Sequence, residues 1–163
     1  MTGAPFARQP HAIGSDRLRP LDEGECASLA GILVTLDPWQ TLGFQADALA
    51  RYLARGDDAL ARFVLESGGA PAGILAVRSP WLRGPYIELL AVLPGAQGSG
   101  LGRRMVEWAA GQAAATSSNL WACVSAFNAR ARAFYGRVGF IETATLPDLV
   151  TAGFDEVLLR RRL

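Results

Sequence analysis

Residues 92–103 read VLPGAQGSGLGR, and this stretch decides the fold of the chain. It follows an apolar run, residues 86–92, which predicts a β-strand, and it opens a helix predicted over residues 101–115. Glycine lets the backbone approach a ligand closely, and the free N–H groups of a first helical turn point towards an anion. The order of strand, glycine-rich loop and helix therefore predicts a phosphate-binding loop.

The spacing of these glycines does not fit the two common nucleotide-binding motifs. A dinucleotide fingerprint reads Gly-x-Gly-x-x-Gly, but its third glycine position falls on Arg103 counted from Gly98, and on Met105 counted from Gly100. A P-loop requires lysine before Ser or Thr, and the chain contains no lysine. A dinucleotide-dependent oxidoreductase would therefore need a glycine spacing that is absent here.

Two other patterns match the chain, and they occur in a characteristic order. The first, Gln-x-x-Gly-x-Gly, is residues 97–102, and the second, Asn-x-x-Ala-x-x-Phe-Tyr-x-x-x-Gly-Phe, is residues 128–140. Together they resemble the signatures of the GNAT superfamily, the acyl-CoA-dependent N-acyltransferases. The resemblance covers residues 60–163 well and the first third only by general layout. It implies acetyl-CoA as the cosubstrate, with its pyrophosphate on the glycine loop.

Composition and charge indicate one globular domain. Half of the 163 residues are hydrophobic and 19% are charged. A formal charge of +1 argues against nucleic-acid binding, and no run approaches the ~18 apolar residues of a membrane span. We expect a cytoplasmic protein that binds neither nucleic acid nor membrane. Residues 1–14, which lack an apolar signal region, are expected to form a flexible tail before a domain over residues 15–163.

The order of predicted elements indicates an α/β protein of mixed α+β type. Strands are predicted at residues 17–21, 60–66, 72–78, 86–92, 120–124, 140–143 and 155–161, and helices at 23–34, 45–55, 101–115 and 128–138. This order predicts a central mixed, mostly antiparallel twisted sheet of about seven strands with helices on both faces. The layout agrees with a single GNAT-like domain. The resemblance further implies that the strands at 86–92 and 120–124 splay apart and admit the pantetheine arm.

The residues expected to bind acetyl-CoA come from three segments. Backbone N–H groups at the helix start would hold the diphosphate, and Arg103 either pairs with a phosphate oxygen or lies exposed. The resemblance assigns the pantetheine arm to the backbone of residues 90–92, together with an N–H that polarises the thioester carbonyl. It also gives Asn128 a contact with CoA, besides the N-cap role that asparagine favours. The expected set is Leu90, Ala91, Val92, Gln97, Gly98, Ser99, Gly100, Leu101, Gly102, Arg103, Asn128 and Tyr135.

Tyr135 is the candidate general acid for the leaving thiolate. A phenol has a pKa of about 10, above the ~8.5 of a thiol, so it stays protonated and can donate to sulfur. Tyr135 occupies the tyrosine position of the second family pattern. The alternative is a core aromatic, because Ala131, Phe134, Tyr135 and Val138 follow helical spacing.

Glu88 is the candidate general base. It is the only charge in the strand at 86–92, where strand alternation would put it on the face of Tyr86, Leu90 and Val92. A carboxylate in such surroundings should have a raised pKa, which suits proton uptake directly or through water. The alternative is a structural pair with a nearby arginine. Some relatives carry a glutamate on the next strand, where this chain has Cys123, whose own role as a nucleophile is disfavoured because buried single cysteines are usually inert.

The amine acceptor is less closely defined by the sequence. Trp39, Phe44, Trp81 and Tyr86 could line its pocket, although aromatic residues in loops often serve only as hydrophobic closure. No cluster of Asp or Glu marks a polycationic acceptor, which favours a small amine, amino acid or peptide N-terminus of apolar character. The spacing of Cys and His residues indicates no metal site. A homodimer is left open.

Two functions are consistent with these sequence features. The first is an N-acetyltransferase that moves an acetyl group from acetyl-CoA directly to a primary amine of a small molecule or peptide. The second is a non-catalytic acyl-CoA-binding sensor or regulatory module on the same fold, which the uncertain general base keeps open.

Overall fold

One eight-stranded sheet organises the protein, and helices cover both of its faces. The computed structural model describes residues 4–163. The strands are β1 (His11–Ile13), β2 (Asp16–Pro20), β3 (Leu60–Ser67), β4 (Ala70–Arg78), β5 (Tyr86–Val92), β6 (Asn119–Ser125), β7 (Ile141–Leu146) and β8 (Glu156–Arg162). The helices are α1 (Cys26–Leu33), α2 (Ala46–Ala54), α3 (Leu101–Ala114) and α4 (Ala129–Arg137), and a 3₁₀ turn at Glu23–Glu25 precedes α1. Across residues 4–163, these helices lack the length and apolar character that a bilayer crossing needs.

The direction of the strands confirms the predicted mixed sheet. The spatial order is β1-β2-β3-β4-β5-β6-β8-β7, and every neighbouring pair is antiparallel except β5 and β6. These two strands run parallel because α3 carries the chain back across one face of the sheet between them. The fold class is as predicted, with eight strands where the sequence indicated about seven.

The additional strand corrects the prediction of a flexible tail over residues 1–14. His11–Ile13 pairs antiparallel with β2, and Phe6 is buried with its ring 5.8 Å from that of Trp108. The imidazole of His11 lies 5.0 Å from the Trp108 ring, so this histidine is part of the packing. A three-residue strand is too short for alternation to reveal it, which is why the prediction was wrong for residues 4–14. Residues 1–3 lie outside the described residues.

Two apolar layers hold the helices against the sheet. On one face, α3 places Met105 and Val106 in a cluster that continues through Leu75 of β4. On the other face, α1 and α2 contribute Leu33 and Leu53 to a second cluster. Full burial of one such side chain contributes roughly 1.5–3 kcal/mol to folding, so each layer supplies a large share of the total stability. The sheet between the layers positions β5 and β6, where the candidate site lies.

Candidate active site

The parallel strands β5 and β6 pair only at their first residues and then diverge. Tyr86 is opposite Trp121 and Ile87 is opposite Ala122, and no further pair joins the two strands. The N–H of Trp121 also donates to the Pro85 carbonyl oxygen at 3.0 Å. The gap that follows is the splay that the resemblance implied, and it opens the sheet between residues 88–92 and 123–125.

A cavity of about 350 Å³ lies at this gap. Its walls come from β5, β6, the start of β8, helices α2 and α4, and the loops that follow α1 and β7. Most of the lining is apolar or aromatic. The polar and titratable residues on the wall are Asp37, Tyr52, Tyr86, Glu88, Cys123, Ser125, Asn128, Tyr135 and Glu156. Glu88, Asn128 and Tyr135, which the sequence nominated separately, are therefore brought to one cavity.

The glycines at positions 98, 100 and 102 are needed for two different reasons. Gly98 and Gly100 have φ of +79° and +80°, a left-handed conformation that side chains strongly disfavour. Gly100 is also the residue that precedes α3, as its N-cap. Gly102 lies inside the helix, where an added Cβ would approach the Phe134 ring to 3.3 Å. Glycine thus shapes the loop at two positions and lets α3 approach α4 at the third.

The amides around the start of α3 are free to bind an anion. The first N–H at this end that donates along the helix is that of Arg104, to the Gly100 carbonyl oxygen at 3.1 Å. Within residues 4–163, no backbone N–H of residues 98–103 donates to another residue. The Gln97 side chain donates to the Val92 carbonyl oxygen at 3.1 Å and the Ser99 hydroxyl to that of Ala96, so both support the loop itself. A row of unpaired amides at a helix N-terminus fits a diphosphate.

The two arginines at the start of α3 have different surroundings. Arg104 forms an ion pair with the buried carboxylate of Asp16. Arg103 is exposed, and its closest polar contact is the Arg137 carbonyl oxygen at 3.4 Å. Of these two arginines, Arg103 is therefore the one placed to reach a ligand at the loop.

Helix α4 positions both Asn128 and Tyr135. Asn128 is the N-cap, and its Oδ1 accepts a hydrogen bond from the Ala131 N–H at 3.1 Å. Tyr135 is 7% exposed, and its ring lies 5.2 Å from each of the Phe134 and Phe140 rings. Burial, with a smaller contribution from Cys123, raises the pKa of Tyr135. The tyrosine is thus both a core residue and a protonated phenol on the cavity wall.

A β-bulge in β5 decides where Glu88 lies. Ala76 of β4 is opposite Leu89, and the next residue, Val77, is opposite Ile87, so Glu88 is the extra residue. Because a bulge shifts the side-chain alternation by one, Ile87 shares a face with Leu90, three residues later. The expectation that Glu88 lies on the face of Leu90 and Val92 was therefore wrong.

The re-aimed carboxylate of Glu88 pairs with an arginine. Arg78 Nε donates to it at 2.6 Å and Arg78 Nη2 at 3.3 Å, while Arg78 Nη1 lies 3.1 Å from Asp57. A half-buried carboxylate held in this way has its charge compensated in the folded protein. The geometry favours the alternative in which Glu88 is a structural partner of an arginine.

The four aromatic residues expected at the acceptor pocket divide into two groups. Trp39, Phe44 and Tyr86 line the cavity. Trp81 does not; its ring stacks on that of Tyr86 at 4.7 Å and meets Trp121 edge-on at 5.7 Å. Trp81 therefore packs against the Tyr86 ring without lining the cavity itself.

Glu156 is a cavity residue that sequence reasoning missed. It is 5% exposed, and its carboxylate accepts a hydrogen bond from the Ser125 hydroxyl at 2.6 Å. In the sequence it is only a polar residue at the start of the last predicted strand, and nothing local separates it from a solvated strand end. Its position on the cavity wall follows from the pairing of β8 with β6, which sets Glu156 opposite Ser125.

Tyr52 was also missed, and it lies at the α2 side of the cavity. Its hydroxyl is buried and has no hydrogen-bond partner among the described residues, and the Arg62 guanidinium lies over its ring at 5.3 Å. Burial raises the pKa of Tyr52, and the nearby Glu88 carboxylate adds to the effect. Helical spacing from Leu49 and Leu53 could have indicated that this tyrosine faces inwards.

The family of the chain follows from comparison with known sequences. The family model described as acetyltransferase (GNAT) family matches residues 28–140, which include both the splayed strands and the glycine loop. The chain belongs to the GNAT acetyltransferase family. No curated protein sequence matches this GNAT chain significantly.

Solved structures share the fold of this GNAT chain. An acetyltransferase from Thermus thermophilus is 22% identical, with a TM-score of 0.73 over 94% of this chain and 100% of that one. The ribosomal-protein-S18-alanine N-acetyltransferase from Escherichia coli is 20% identical, with a TM-score of 0.71 over 90% and 93%. A variant of the spermidine N-acetyltransferase from Vibrio cholerae is 19% identical, with a TM-score of 0.67 over 91% and 94%.

Proposed function

We propose that this GNAT protein transfers an acetyl group from acetyl-CoA directly to a primary amine. Two observations carry the proposal: the cavity at the splay of β5 and β6, with the Tyr135 phenol on its wall, and the free backbone amides of the loop that follows β5. An amine entering this cavity would meet a thioester held between the two strands. The reaction class follows from the family, and the assignment of roles to residues is ours.

Backbone groups hold the acetyl-CoA in this proposal. The amides of residues 98–103 bind the diphosphate, and Arg103 adds a charge-assisted contact. The diverging backbone of residues 90–92 no longer pairs with β6, so its free groups can bond the pantetheine arm. The bound thioester supplies the activated acyl group. Asn128 uses Oδ1 for its helix, which leaves its Nδ2 hydrogens for the same arm.

Tyr135 is the proton donor in this proposal. Since burial raises its pKa, the phenol is fully protonated at neutral pH and cannot compete with the amine as a nucleophile. A departing thiolate takes its proton as the carbon–sulfur bond breaks. Its hydroxyl has no hydrogen-bond partner within residues 4–163, which leaves it free to donate.

The walls of the cavity favour an acceptor with one ammonium group and an apolar body. Trp39, Leu42 and Phe44 lie on one side and Leu149 and Val150 on the other. The relatives named above include enzymes for a polyamine and for a protein alanine, so the fold serves chemically different amines. Here, one of the three wall carboxylates, Glu88, already pairs with Arg78, which disfavours a polycation.

The test is thiol release from acetyl-CoA with a panel of amines. The panel contains phenethylamine, spermidine, free amino acids and a short peptide with a free N-terminus, and mass spectrometry identifies the acetylated product. We expect turnover to be highest with the apolar monoamine. Binding of CoA without turnover for any acceptor would support the second candidate, the non-catalytic acyl-CoA sensor. Absence of CoA binding by calorimetry would contradict both candidates.

A further inference from the structure

We propose that Glu156 binds the ammonium group of the acceptor and takes the proton that the amine must lose before it attacks the thioester. The inference deepens the proposed function and rests on it. It concerns a carboxylate that neither family pattern contains, on the last strand of the sheet.

The pairing of strands in the sheet fixes the position of Glu156, and the residue lies on the cavity wall. It is the first residue of β8 and lies opposite Ser125, the last residue of β6. Its side chain is almost fully buried, yet the residue contributes to the cavity wall together with Tyr135 and Asn128. The opening of the cavity is therefore the route by which a ligand can reach its carboxylate.

Among the three carboxylates on the wall, Glu156 is the one that is buried without a compensating cation within the described residues. Glu88 is paired with Arg78 at 2.6 Å. Asp37 accepts hydrogen bonds from the Thr41 hydroxyl and N–H, and it is exposed to solvent. Glu156 forms no ion pair within residues 4–163, and its one hydrogen bond comes from a neutral hydroxyl. A buried negative charge without a counterion attracts a cation strongly, and an ammonium is the cation that this reaction brings.

Burial also gives Glu156 the properties of a proton acceptor. It raises the pKa of the Glu156 carboxyl, and the hydrogen bond from Ser125 offsets part of the rise. A raised pKa brings a carboxylate closer to the value at which general-base catalysis is most effective near neutral pH. The geometry and the electrostatics thus point to the same role.

The proton balance of the reaction is complete with Glu156 and Tyr135 alone. The ammonium gives one proton to the Glu156 carboxylate, and the nitrogen lone pair then forms the bond to the thioester carbonyl carbon. The carbon–sulfur bond breaks with its electron pair on sulfur, which receives the Tyr135 proton. The second nitrogen proton returns through water to the Tyr135 phenolate, and Glu156 releases its proton to solvent. The products are the amide, CoA thiol and one proton.

The other titratable groups around the cavity limit what a pH profile can report. Burial raises the pKa of Tyr52 on α2, Tyr86 on β5, Tyr135 on α4 and Cys123 on β6, so all four are protonated at neutral pH. The remaining groups are the carboxylates of Asp37, Glu88 and Glu156. A titration in the acidic range must therefore be assigned among these three by substitution.

The first experiment compares Glu156→Gln with the wild type on two kinds of amine. At neutral pH one acceptor is an ammonium, phenethylamine, and the other is already uncharged, methoxyamine. We expect kcat/KM of the variant to fall about 10²-fold or more with phenethylamine. With methoxyamine the loss should be at least about tenfold smaller, because no ammonium proton has to be removed. An equal loss with both amines, or no loss, would overturn the proposal.

Two further variants control for structure and for the other carboxylates. Glu142→Gln removes an exposed carboxylate that pairs with Arg132 at the surface, and it should leave both rates unchanged. Glu88→Gln should not reproduce the difference between the two amines. If Glu88→Gln shows that difference and Glu156→Gln does not, the base is Glu88 and the proposal fails.

A fourth variant tests Glu156 without altering the carboxylate. Ser125→Ala removes the hydrogen bond that lowers the pKa of Glu156, so the acidic limb of the kcat/KM profile should move to higher pH. An unmoved limb would overturn the assignment even if Glu156→Gln fails to fold. Wild-type protein that binds CoA but turns over no amine would instead refute the proposed function, and the two failures are thus distinguishable.

Discussion

Single residues decide two features of the proposed reaction, the anion site in the loop before α3 and the proton donor for the thiolate. Gly98 and Gly100 allow a backbone that leaves six consecutive residues, 98–103, with free amides. Tyr135 adds a phenol whose ionisation is suppressed by burial. Both features depend on local chemistry that a single substitution can remove.

Replacing Tyr135 by phenylalanine should separate catalysis from binding. We expect turnover to fall about 10²-fold or more, because the leaving thiolate loses its proton donor. The hydroxyl makes no hydrogen bond within residues 4–163, so thermal stability and CoA affinity should stay at wild-type values. Steady-state thiol release, calorimetry with CoA and a melting curve measure the three quantities. Full turnover in Tyr135→Phe would remove this residue from the mechanism.

Replacing Gly100 by alanine should strain the loop, and Gly111 offers a matched control. At φ of +80° a side chain costs roughly 1–2 kcal/mol, so the free energy of unfolding should fall by about that amount and CoA should bind more weakly. Gly111 lies within α3 with open space around it, and its replacement by alanine should stabilise the protein by about 1 kcal/mol. Urea unfolding and calorimetry test both variants. Equal effects of the two substitutions would contradict the role of the left-handed conformation.

Among the helices and strands, α4 and β5 position the side chains that the sequence nominated for catalysis. Helix α4 has nine residues; Asn128 is its N-cap and Tyr135 lies within it. The point at which the helix begins therefore sets the positions of both side chains. Strand β5 diverges from β6 after two pairs and carries the bulge that turns Glu88 towards Arg78. The part of the site on β5 therefore depends on two interruptions of regular strand pairing, the bulge and the divergence from β6.

Substitutions of Asn128 should separate its capping role from the contact with CoA that we propose for it. Asn128→Ala removes the acceptor for the Ala131 N–H, which should lower the free energy of unfolding by about 1 kcal/mol. Asn128→Asp keeps this acceptor and should retain most of the stability. Both variants lack the amide donor, so both should bind CoA more weakly in calorimetry. Wild-type affinity in Asn128→Asp would limit Asn128 to the helix cap.

At the scale of the whole molecule, the N-terminal segment packs on the domain, and all three tyrosines are fully or partly buried. Arg8 Nη2 donates to the Asp57 carbonyl oxygen at 2.6 Å, and Phe6 joins the core beneath α3, so this segment packs against the domain. Burial raises the pKa of Tyr52, Tyr86 and Tyr135. The latter property has a consequence for stability at high pH.

The protein should lose stability as the pH rises above about 10. Above a pH of about 10, the ordinary pKa of tyrosine, the phenols ionise in the unfolded protein. In the folded protein they keep their protons to higher pH because their pKa is raised, so rising pH favours the unfolded state. Stability is therefore fully present below that pH and falls by up to about 1.4 kcal/mol per pH unit for each tyrosine. Urea unfolding across this range measures the slope, and Tyr135→Phe should reduce it by about a third. Native-state phenolate absorbance with an ordinary midpoint for all three tyrosines would contradict the prediction.

The amino-acid sequence alone determined the features that depend on short-range pattern. The glycine loop, the start of α3, the helix that carries Asn128 and Tyr135, and the mixed sheet were all predictable. The reason is that glycine spacing, helix caps and hydrophobic periodicity act over a few residues. The same patterns led to the GNAT family, which the family model confirms.

Only the tertiary structure decided which side chains meet. A bulge opposite Ala76 re-aimed Glu88, and the pairing of β8 with β6 brought Glu156 to Ser125, 31 positions earlier in the chain. Strand β1 became visible only through its pairing with β2. Register, bulges and strand order are set by the packing of the whole sheet, because the energy that selects them is shared among residues far apart in sequence.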